Sequence, residues 1–159
     1  VDQREHPVMI LIPGNQVTYR EADKDFDRLN HFKVEEAGEK VAILALGDFY
    51  QRGEQLSAKI KAELGFTPTL INPRFASGID KELLESLSER HQMVITMEDG
   101  ILSGGFGEKI ASFYGSSDMK VKNYGLDKKF YDRYDPNELL KEVGMTPVQI
   151  IADICNQIK

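Results

Sequence analysis

The stretch VAILALG, residues 41–47, is the part of the sequence that decides the fold. Val41–Leu46 is an unbroken apolar run of strand length, as expected for a strand that is covered on both faces. Gly47 ends the run, and the following segment, Gln51–Leu64, has apolar residues four positions apart, which is typical of a helix. Gly65 then stands where a glycine commonly ends a helix. The region therefore predicts a strand followed by a helix.

The same unit recurs along the chain. Strands are predicted at Thr67–Ile71, Met93–Met97 and, more weakly, Met119–Tyr124, with helices between them and an edge strand at His31–Glu35. Asp80 is the predicted N-cap of the helix that follows Thr67–Ile71. Asp135-Pro136 and Thr146-Pro147 each combine an N-cap residue with a proline at the first helical position, which predicts two closing helices. Because strands alternate with helices, we expect a three-layer α/β/α sandwich with about five mostly parallel strands.

Composition excludes several classes of function. The chain has 159 residues, a net charge of −6 and a single cysteine. The acidic balance argues against a nucleic-acid partner, and the absence of a long apolar run argues against a membrane partner. Cys155, beside an apolar helical stripe, is expected to be buried. We expect a cytoplasmic protein, and, since Val1 is not a methionine, one cut from a longer chain.

Two segments follow predicted strands and carry most of the special residues, NPRFASGID (72–80) and TMEDGILSGGFG (96–107). Sites in open α/β sheets form beyond the carboxyl ends of the strands. Arg74 could present its planar fork to a phosphate or carboxylate there, or pair with an acid such as Asp80. It is the candidate binding residue; no residue is assigned to catalysis, to a cofactor or to a metal.

The second segment has weaker signals. Glu98 and Asp99 are adjacent and should point to opposite sides, so a role in orienting a loop or crossing an interface is more probable than proton transfer. The glycines from Gly104 to Gly107 precede a helix whose N-terminus suits an anion, but they lack a P-loop lysine, and close backbone packing against a neighbouring domain is favoured. Phe130, Tyr131 and Tyr134 are expected to pack in the core or anchor an interface.

The order of these motifs resembles the C-terminal domain of transketolase-like thiamine diphosphate enzymes, and within that group the 1-deoxy-D-xylulose-5-phosphate synthases. The resemblance rests on Arg74-Phe75 with Ile79-Asp80, on Glu98-Asp99 with the glycine turn, and on Gly125-Leu126 with Phe130. It covers roughly residues 38–158. The run PVMILIPGN near the start resembles the last strand of the preceding domain. The implied organisation is 1–14, the end of a pyrimidine-binding domain; 15–36, a linker and edge strand; and 37–159, the transketolase C-terminal-like domain.

The resemblance implies a parent enzyme that condenses pyruvate with D-glyceraldehyde 3-phosphate. Thiamine diphosphate and Mg²⁺ would be held by the parent's other domains and not by this chain, which would be inactive alone. The implied partners are those domains, a second copy in a homodimer, and the phosphorylated aldehyde. In the family an arginine of this domain is directed at the phosphate of the aldehyde, and Arg74 matches that arginine by motif. Two departures are noted. Leu11-Ile12-Pro13-Gly14 lacks the arginines of the family pattern, and Ala-Ser-Gly follows Phe75 where a Lys-Pro is common.

Two alternatives remain open from the sequence. One is a non-catalytic dimerisation or docking module. The other is the C-terminal part of a 2-oxoacid dehydrogenase E1 β-type subunit, against which the tail DPNELLKEVGM argues.

Overall fold

A five-stranded sheet with helices on both faces forms the domain. The computed structural model describes Met9 and residues 30–158, so the predicted strand at 7–12, the linker after it and the departures at Leu11–Gly14 lie outside the described residues. The helices and strands are β1 (Lys33–Glu36), β2 (Lys40–Ala45), a 3₁₀ turn (Gly47–Phe49), α1 (Tyr50–Leu64), β3 (Thr69–Asn72), α2 (Lys81–Leu87), β4 (His91–Ile101), α3 (Phe106–Tyr114), β5 (Lys120–Leu126), α4 (Pro136–Glu142) and α5 (Pro147–Gln157).

The strand order is β1-β3-β2-β4-β5, and only β1 runs antiparallel to its neighbour. The predicted three-layer sandwich with about five mostly parallel strands is confirmed. The edge strand pairs with β3, for example Lys33 with Asn72, so it is part of the sheet. The domain boundaries proposed at residues 14 and 36 stay predictions.

Alternating residues of β2 explain its unbroken apolar run. Val41 and Ile43 belong to a buried cluster with α1 and α5, whereas Ala42 and Leu44 belong to a second buried cluster with α2 and α3. A strand covered on both faces has no solvent side and therefore needs no polar alternation. On the first face α1 lies close to the sheet, because a Cβ added at Gly53 would fall 2.6 Å from the Cβ of Ala45.

The predicted helix ends are also confirmed. Gly65 follows α1 with a φ of 76°, a left-handed conformation that glycine adopts without strain. The side chain of Asp135 accepts hydrogen bonds from the backbone at the start of α4, and Thr146 forms a capping box with Gln149 at the start of α5.

Three expectations were wrong. Strand β4 continues past Met97 to Ile101. Cys155 is exposed, on the solvent side of α5, and not buried. Core packing of the aromatic segment is contradicted, since Phe130 is fully exposed and Tyr134 is largely exposed; their use at an interface stays a prediction. Within residues 30–158 no helix combines the length and apolar character that crossing a membrane requires.

Candidate functional site

The carboxyl edge of the sheet gathers the residues singled out from the sequence. Strands β2 to β5 are parallel, so the turns that follow them lie at one edge. Because β1 is antiparallel and its first residue, Lys33, pairs with Asn72, the segment entering β1 lies at this edge too. The turn 72–80, the turn 98–106 and residues 31–32 therefore share one end of the domain.

Arg74 lies in a tightly wound turn directly after β3. Its φ is 62°, in the left-handed region that non-glycine residues rarely adopt. Its backbone N–H donates to Oδ1 of Asn72 over 3.1 Å, and the N–H of Phe75 donates to the carbonyl of Pro73 over 2.7 Å. A residue other than glycine in this region costs on the order of 1 kcal/mol, and such positions cluster at functional sites. The side chain of Arg74 thus leaves the sheet from a strained and well-fixed backbone.

Asp80 accepts hydrogen bonds from two segments next to this turn, the start of α2 and the segment that enters β1. It is buried, with 6% of its surface exposed, and its Oδ1 accepts from the N–H of Leu83 over 3.2 Å, which confirms the predicted N-cap of α2. Its Oδ2 accepts from the N–H of Phe32 over 2.9 Å and lies 3.3 Å from Nδ1 of His31. Asp80 therefore joins the start of α2 to the segment that enters β1, and this structural role accounts for its burial.

Beside this carboxylate lies an open depression of about 340 Å³. Arg74 lines it together with residues of the β1 entry and the start of α2: His31, Phe32, Lys33, Val34, Asp80, Glu82 and Leu83. A ligand that approaches Arg74 from this side would meet His31 and Lys33 as well.

The turn after β4 is closed by its own carboxylate. Glu98 is buried, and its two oxygens accept from the N–H groups of Phe106, over 2.9 Å, and Gly107, over 2.8 Å, at the start of α3. Asp99, its neighbour, is exposed, so the two carboxylates point to opposite sides and do not form an acid/base pair. The N-terminus of α3 suits an anion, and Glu98 is that anion.

The glycines of this turn allow the carboxylate to fit. A Cβ at Gly105 would lie 2.6 Å from the carbonyl oxygen of Ile101 and 2.7 Å from Oε1 of Glu98. A Cβ at Gly107 would lie 2.4 Å from Oγ1 of Thr96. The glycines thus serve close packing inside this domain; packing against a neighbouring domain stays a prediction.

Phe32 connects the two turns. Its ring lies 5.2 Å from the ring of Phe75 and 5.9 Å from the ring of Phe106, between centroids. Lys109, on α3, donates from Nζ to the carbonyl of Ala76 over 2.7 Å. These contacts could not be expected from the sequence, because the direction of β1, which brings His31 and Phe32 to this edge, is not encoded in a local pattern.

The described residues do not fit thiamine diphosphate or its metal. Within 30–158 no group of three or more His, Cys, Asp or Glu side chains could hold a metal ion. In the glycine turn at 104–107, the N–H groups of Phe106 and Gly107 donate to Glu98, so a diphosphate bound there would have to displace a buried carboxylate.

The fold and the carboxyl edge of the sheet define a three-layer α/β domain that places an arginine turn at the carboxyl end of its sheet. Residues 30–150 match the family described as "Transketolase, C-terminal domain", and the chain belongs to this family.

Its relatives are longer enzymes. The chain is 32% identical over 156 residues to a 1-deoxy-D-xylulose-5-phosphate synthase of Shouchella clausii, which covers 96% of the chain and 25% of the relative. It is 31% identical over 144 residues to a protein of the same name from Prochlorococcus marinus, covering 89% of the chain and 22% of the relative. The chain thus spans about a quarter of the curated relatives it matches.

A solved structure shares the fold. A split-gene transketolase, described as an inactive β4 tetramer, superposes with a TM-score of 0.71 and 23% identity, covering 81% of this chain and 42% of that one.

Proposed function

We propose that this chain is the C-terminal domain of a 1-deoxy-D-xylulose-5-phosphate synthase-like enzyme. The parent would condense pyruvate with D-glyceraldehyde 3-phosphate, releasing carbon dioxide and giving 1-deoxy-D-xylulose 5-phosphate, a precursor in isoprenoid biosynthesis. The observation that carries the proposal is the position of Arg74 at the carboxyl edge of a transketolase-type sheet, in the stretch by which the sequence resembles the synthases. The similarity to two proteins of that name supports it.

The role of this domain in the reaction would be to bind the acceptor. A guanidinium has a planar set of donors that matches two oxygens of a phosphate, which makes arginine suited to holding a phosphorylated aldehyde by the end away from its carbonyl. The turn supports that role because its backbone is fixed by Asn72 and by the contacts of Phe75 with Phe32. Arg74 would hold the acceptor in position and would move no proton.

Thiamine diphosphate, with Mg²⁺, would supply the carbon–carbon bond chemistry of the parent enzyme. Because the described residues do not fit this cofactor, we assign its binding to other domains of the parent, and the chain alone is expected to be inactive. The remaining domains, a second copy of the enzyme and the phosphorylated aldehyde are the proposed partners. A cytoplasmic location belongs to the same proposal.

The experiment that tests the function compares the chain with its parent. The parent, supplied with thiamine diphosphate, Mg²⁺, pyruvate and D-glyceraldehyde 3-phosphate, should form 1-deoxy-D-xylulose 5-phosphate, and the chain alone should not. Loss of a hydrogen bond to a charged group costs on the order of 1.5–3 kcal/mol, so Arg74→Ala should raise KM for the aldehyde phosphate roughly ten- to a hundredfold. KM for pyruvate should stay the same. Equal increases for both substrates, or turnover by the chain alone, would contradict the assignment.

A matched control is Arg90→Ala. Arg90 lies at the opposite end of the sheet, between α2 and β4, and its exposed side chain is remote from the depression. Its substitution removes one arginine without touching the proposed phosphate contact, so both KM values should remain at their original levels.

A second function, an assembly module without catalytic activity, is favoured by one observation. The solved structure that shares this fold is described as an inactive β4 tetramer of a split-gene transketolase. If the parent lacks synthase activity while the chain forms a defined oligomer, by sedimentation equilibrium, this function replaces the first.

A further inference from the structure

The edge strand β1 is held at both of its ends by side chains of neighbouring elements. It has four residues and, among the described strands, a single neighbour, β3. Its entry is held by Asp80 at the carboxyl edge. Its exit, the turn at 37–39, lies at the amino edge of the sheet. A Cβ added at Gly38 would fall 2.1 Å from the carbonyl oxygen of Thr67, so this turn packs directly on the backbone that leads into β3.

Two backbone donors attach this turn to β3 and its approach. The N–H of Glu39 donates to the carbonyl of Thr67 over 2.9 Å, and the N–H of Gly38 donates to Oγ1 of Thr69 over 2.8 Å. Thr69 is buried, and its Oγ1 also lies 2.8 Å from Nε2 of His91. A hydroxyl oxygen is a stronger acceptor when its own hydrogen is donated. The attachment of Gly38 therefore depends on what His91 offers to the hydroxyl.

The second ring nitrogen of His91 fixes the direction of this hydrogen-bond chain. Nδ1 lies 2.9 Å from the carbonyl oxygen of Leu87, at the end of α2. A carbonyl only accepts, so Nδ1 carries the hydrogen, and Nε2 of the neutral ring is an acceptor. The Thr69 hydroxyl consequently donates to Nε2 while its oxygen accepts from Gly38. Each bond of such a chain strengthens the next.

A proton on Nε2 is incompatible with this direction. In the protonated ring both nitrogens are donors, so the N–H at Nε2 would face the hydroxyl hydrogen of Thr69, and the hydroxyl has to rotate. Within the described residues its other partner is the N–H of Gly38, which is a donor as well. The hydroxyl hydrogen then loses its acceptor, and the oxygen receives two donors at once. The bond from Gly38 is weakened as a result.

The surroundings of the ring favour its neutral form. Burial lowers the pKa of His91 below its ordinary value of 6.5, the hydrogen bond to Leu87 offsets part of this, and Arg90 lowers the pKa further. Lys40 of β2, the partner of His91 in register, adds a second cation nearby. The charged side chains of the elements around the ring are Arg90, Lys40, Glu36, Glu39 and Glu89. The chain of hydrogen bonds is thus intact at neutral pH and is lost only as the pH falls through the pKa of the folded protein.

We propose that Gly38, Thr69 and His91 form a pH-sensitive attachment of the edge strand β1, closed while the imidazole is neutral and loosened when it takes up a proton. The attachment is independent of the reaction of the parent enzyme. It joins the exit of β1 to the starts of β3 and β4 and to the end of α2, four elements that meet at the amino edge.

The first test follows the Gly38 amide of the chain in ¹H–¹⁵N spectra as the pH is lowered, together with the ring signals of His91. The Gly38 amide proton should move toward the shift of a weaker hydrogen bond, with the midpoint of the His91 ring. Glu39, whose amide donates to a carbonyl, is the internal control and should move much less. Thr69→Ser keeps the hydroxyl and should keep the response, whereas Thr69→Val should abolish it. A Gly38 amide that stays in place while His91 takes up its proton, or that follows His91 in Thr69→Val, would overturn the attachment.

The second test works at neutral pH and needs no titration. Amide hydrogen exchange of Gly38 should be about three- to tenfold less protected in His91→Leu, because the hydroxyl loses its acceptor, and at least equally so in Thr69→Val. The double variant should be no worse than Thr69→Val alone, since the chain is already broken there. Protection of Gly38 that is unchanged in His91→Leu, or losses that add in the double variant, would refute the link between His91 and the turn.

Discussion

The turns after β3 and β4 begin with similar ingredients and end with opposite accessibility. Each follows a buried parallel strand, and each contains a buried carboxylate that accepts backbone N–H groups at the start of a helix. In the turn after β4, both oxygens of Glu98 are used in this way, and the site is closed. In the turn after β3, Asp80 caps α2 from the end of the turn, and Arg74, six residues earlier, remains at an open depression. In this domain the turn that the chain fills with its own carboxylate is closed, and the turn that it does not fill stays open to a ligand.

The largest loss of stability should come from removing the carboxylate of Glu98, which closes the turn after β4. Glu98→Ala removes the acceptor of two N–H groups in the interior, which should lower the free energy of unfolding by about 2–4 kcal/mol. Urea unfolding of the chain measures this loss. The control is Asp99→Ala, which changes the adjacent exposed carboxylate and should stay within about 0.5 kcal/mol of the original. Similar losses for both variants would show that burial of Glu98 does not distinguish the two carboxylates.

In the open turn, glycine in place of Arg74 should be more favourable for stability than alanine, by a smaller amount than the loss expected for Glu98→Ala. Arg74 has a φ of 62°, which glycine adopts without strain and alanine does not. Arg74→Gly should therefore be more stable than Arg74→Ala by about 1 kcal/mol, although both lack the guanidinium. The comparison is made by urea unfolding of the two variants. If the alanine variant is equally stable, the turn carries no backbone strain at Arg74.

At the amino edge of the sheet, His91 should make the free energy of unfolding depend on pH. Burial lowers the pKa of His91 below its ordinary value of 6.5, partly offset by the hydrogen bond to the Leu87 carbonyl, and Arg90 lowers the pKa further. The unfolded chain then takes up a proton near pH 6.5 while the folded chain does so only at lower pH. The contribution of neutral His91 is complete above pH 6.5 and is lost as the pH falls toward the folded pKa. Because the ring is only half buried, the effect should be smaller than those of the two turns.

The measurement is the free energy of unfolding between pH 8 and pH 5, in the original chain and in His91→Gln. The variant should show a weaker dependence in this range, since it removes the titrating ring. Parallel curves would show that the neutral ring, with Nδ1 donating to Leu87 and Nε2 accepting from Thr69, does not contribute to the pH dependence.

The smallest change in stability is expected after β5, at a third strand end. Phe130 is fully exposed, so Phe130→Ser should leave the free energy of unfolding of the chain within about 0.5 kcal/mol. If the exposed ring anchors an interface, as proposed, the same variant should weaken self-association of the parent in sedimentation equilibrium. Leu139→Ser, at a buried position of α4, is the contrasting variant and should destabilise the chain by over 1 kcal/mol. An unaltered association constant for Phe130→Ser would remove the interface role.

The fold could be predicted because its signals are local. The buried run of β2, the periodic apolar residues of α1 and the capping residues Asp80, Asp135 and Thr146 each act within a few residues, and the structure agrees with all of them. The end of β4 could not be predicted, because the charged pair Glu98-Asp99 suggests a loop, whereas Glu98 turns inward toward α3.

Of the candidate site, only the turn that carries Arg74 could be predicted from the sequence. Arg74 was identified from its motif and its position after a strand, but its left-handed backbone, its hydrogen bond to the side chain of Asn72 and the packing of Phe75 against Phe32 have no local sequence signal. His31 could not be placed, because nothing near it in the sequence encodes the antiparallel direction of β1. Exposure of Phe130 and Cys155 was missed for a related reason: an apolar residue beside other apolar residues is not always on the buried side.

The bond from the N–H of Phe32 to Asp80 has a mechanical consequence. The chain enters this domain at Phe32, and the carboxylate that receives it also begins α2 at the end of the turn that carries Arg74. The backbone just before β1 and the start of α2, which follows the turn that carries Arg74, are therefore held by the same carboxylate, and its loss would release both at once.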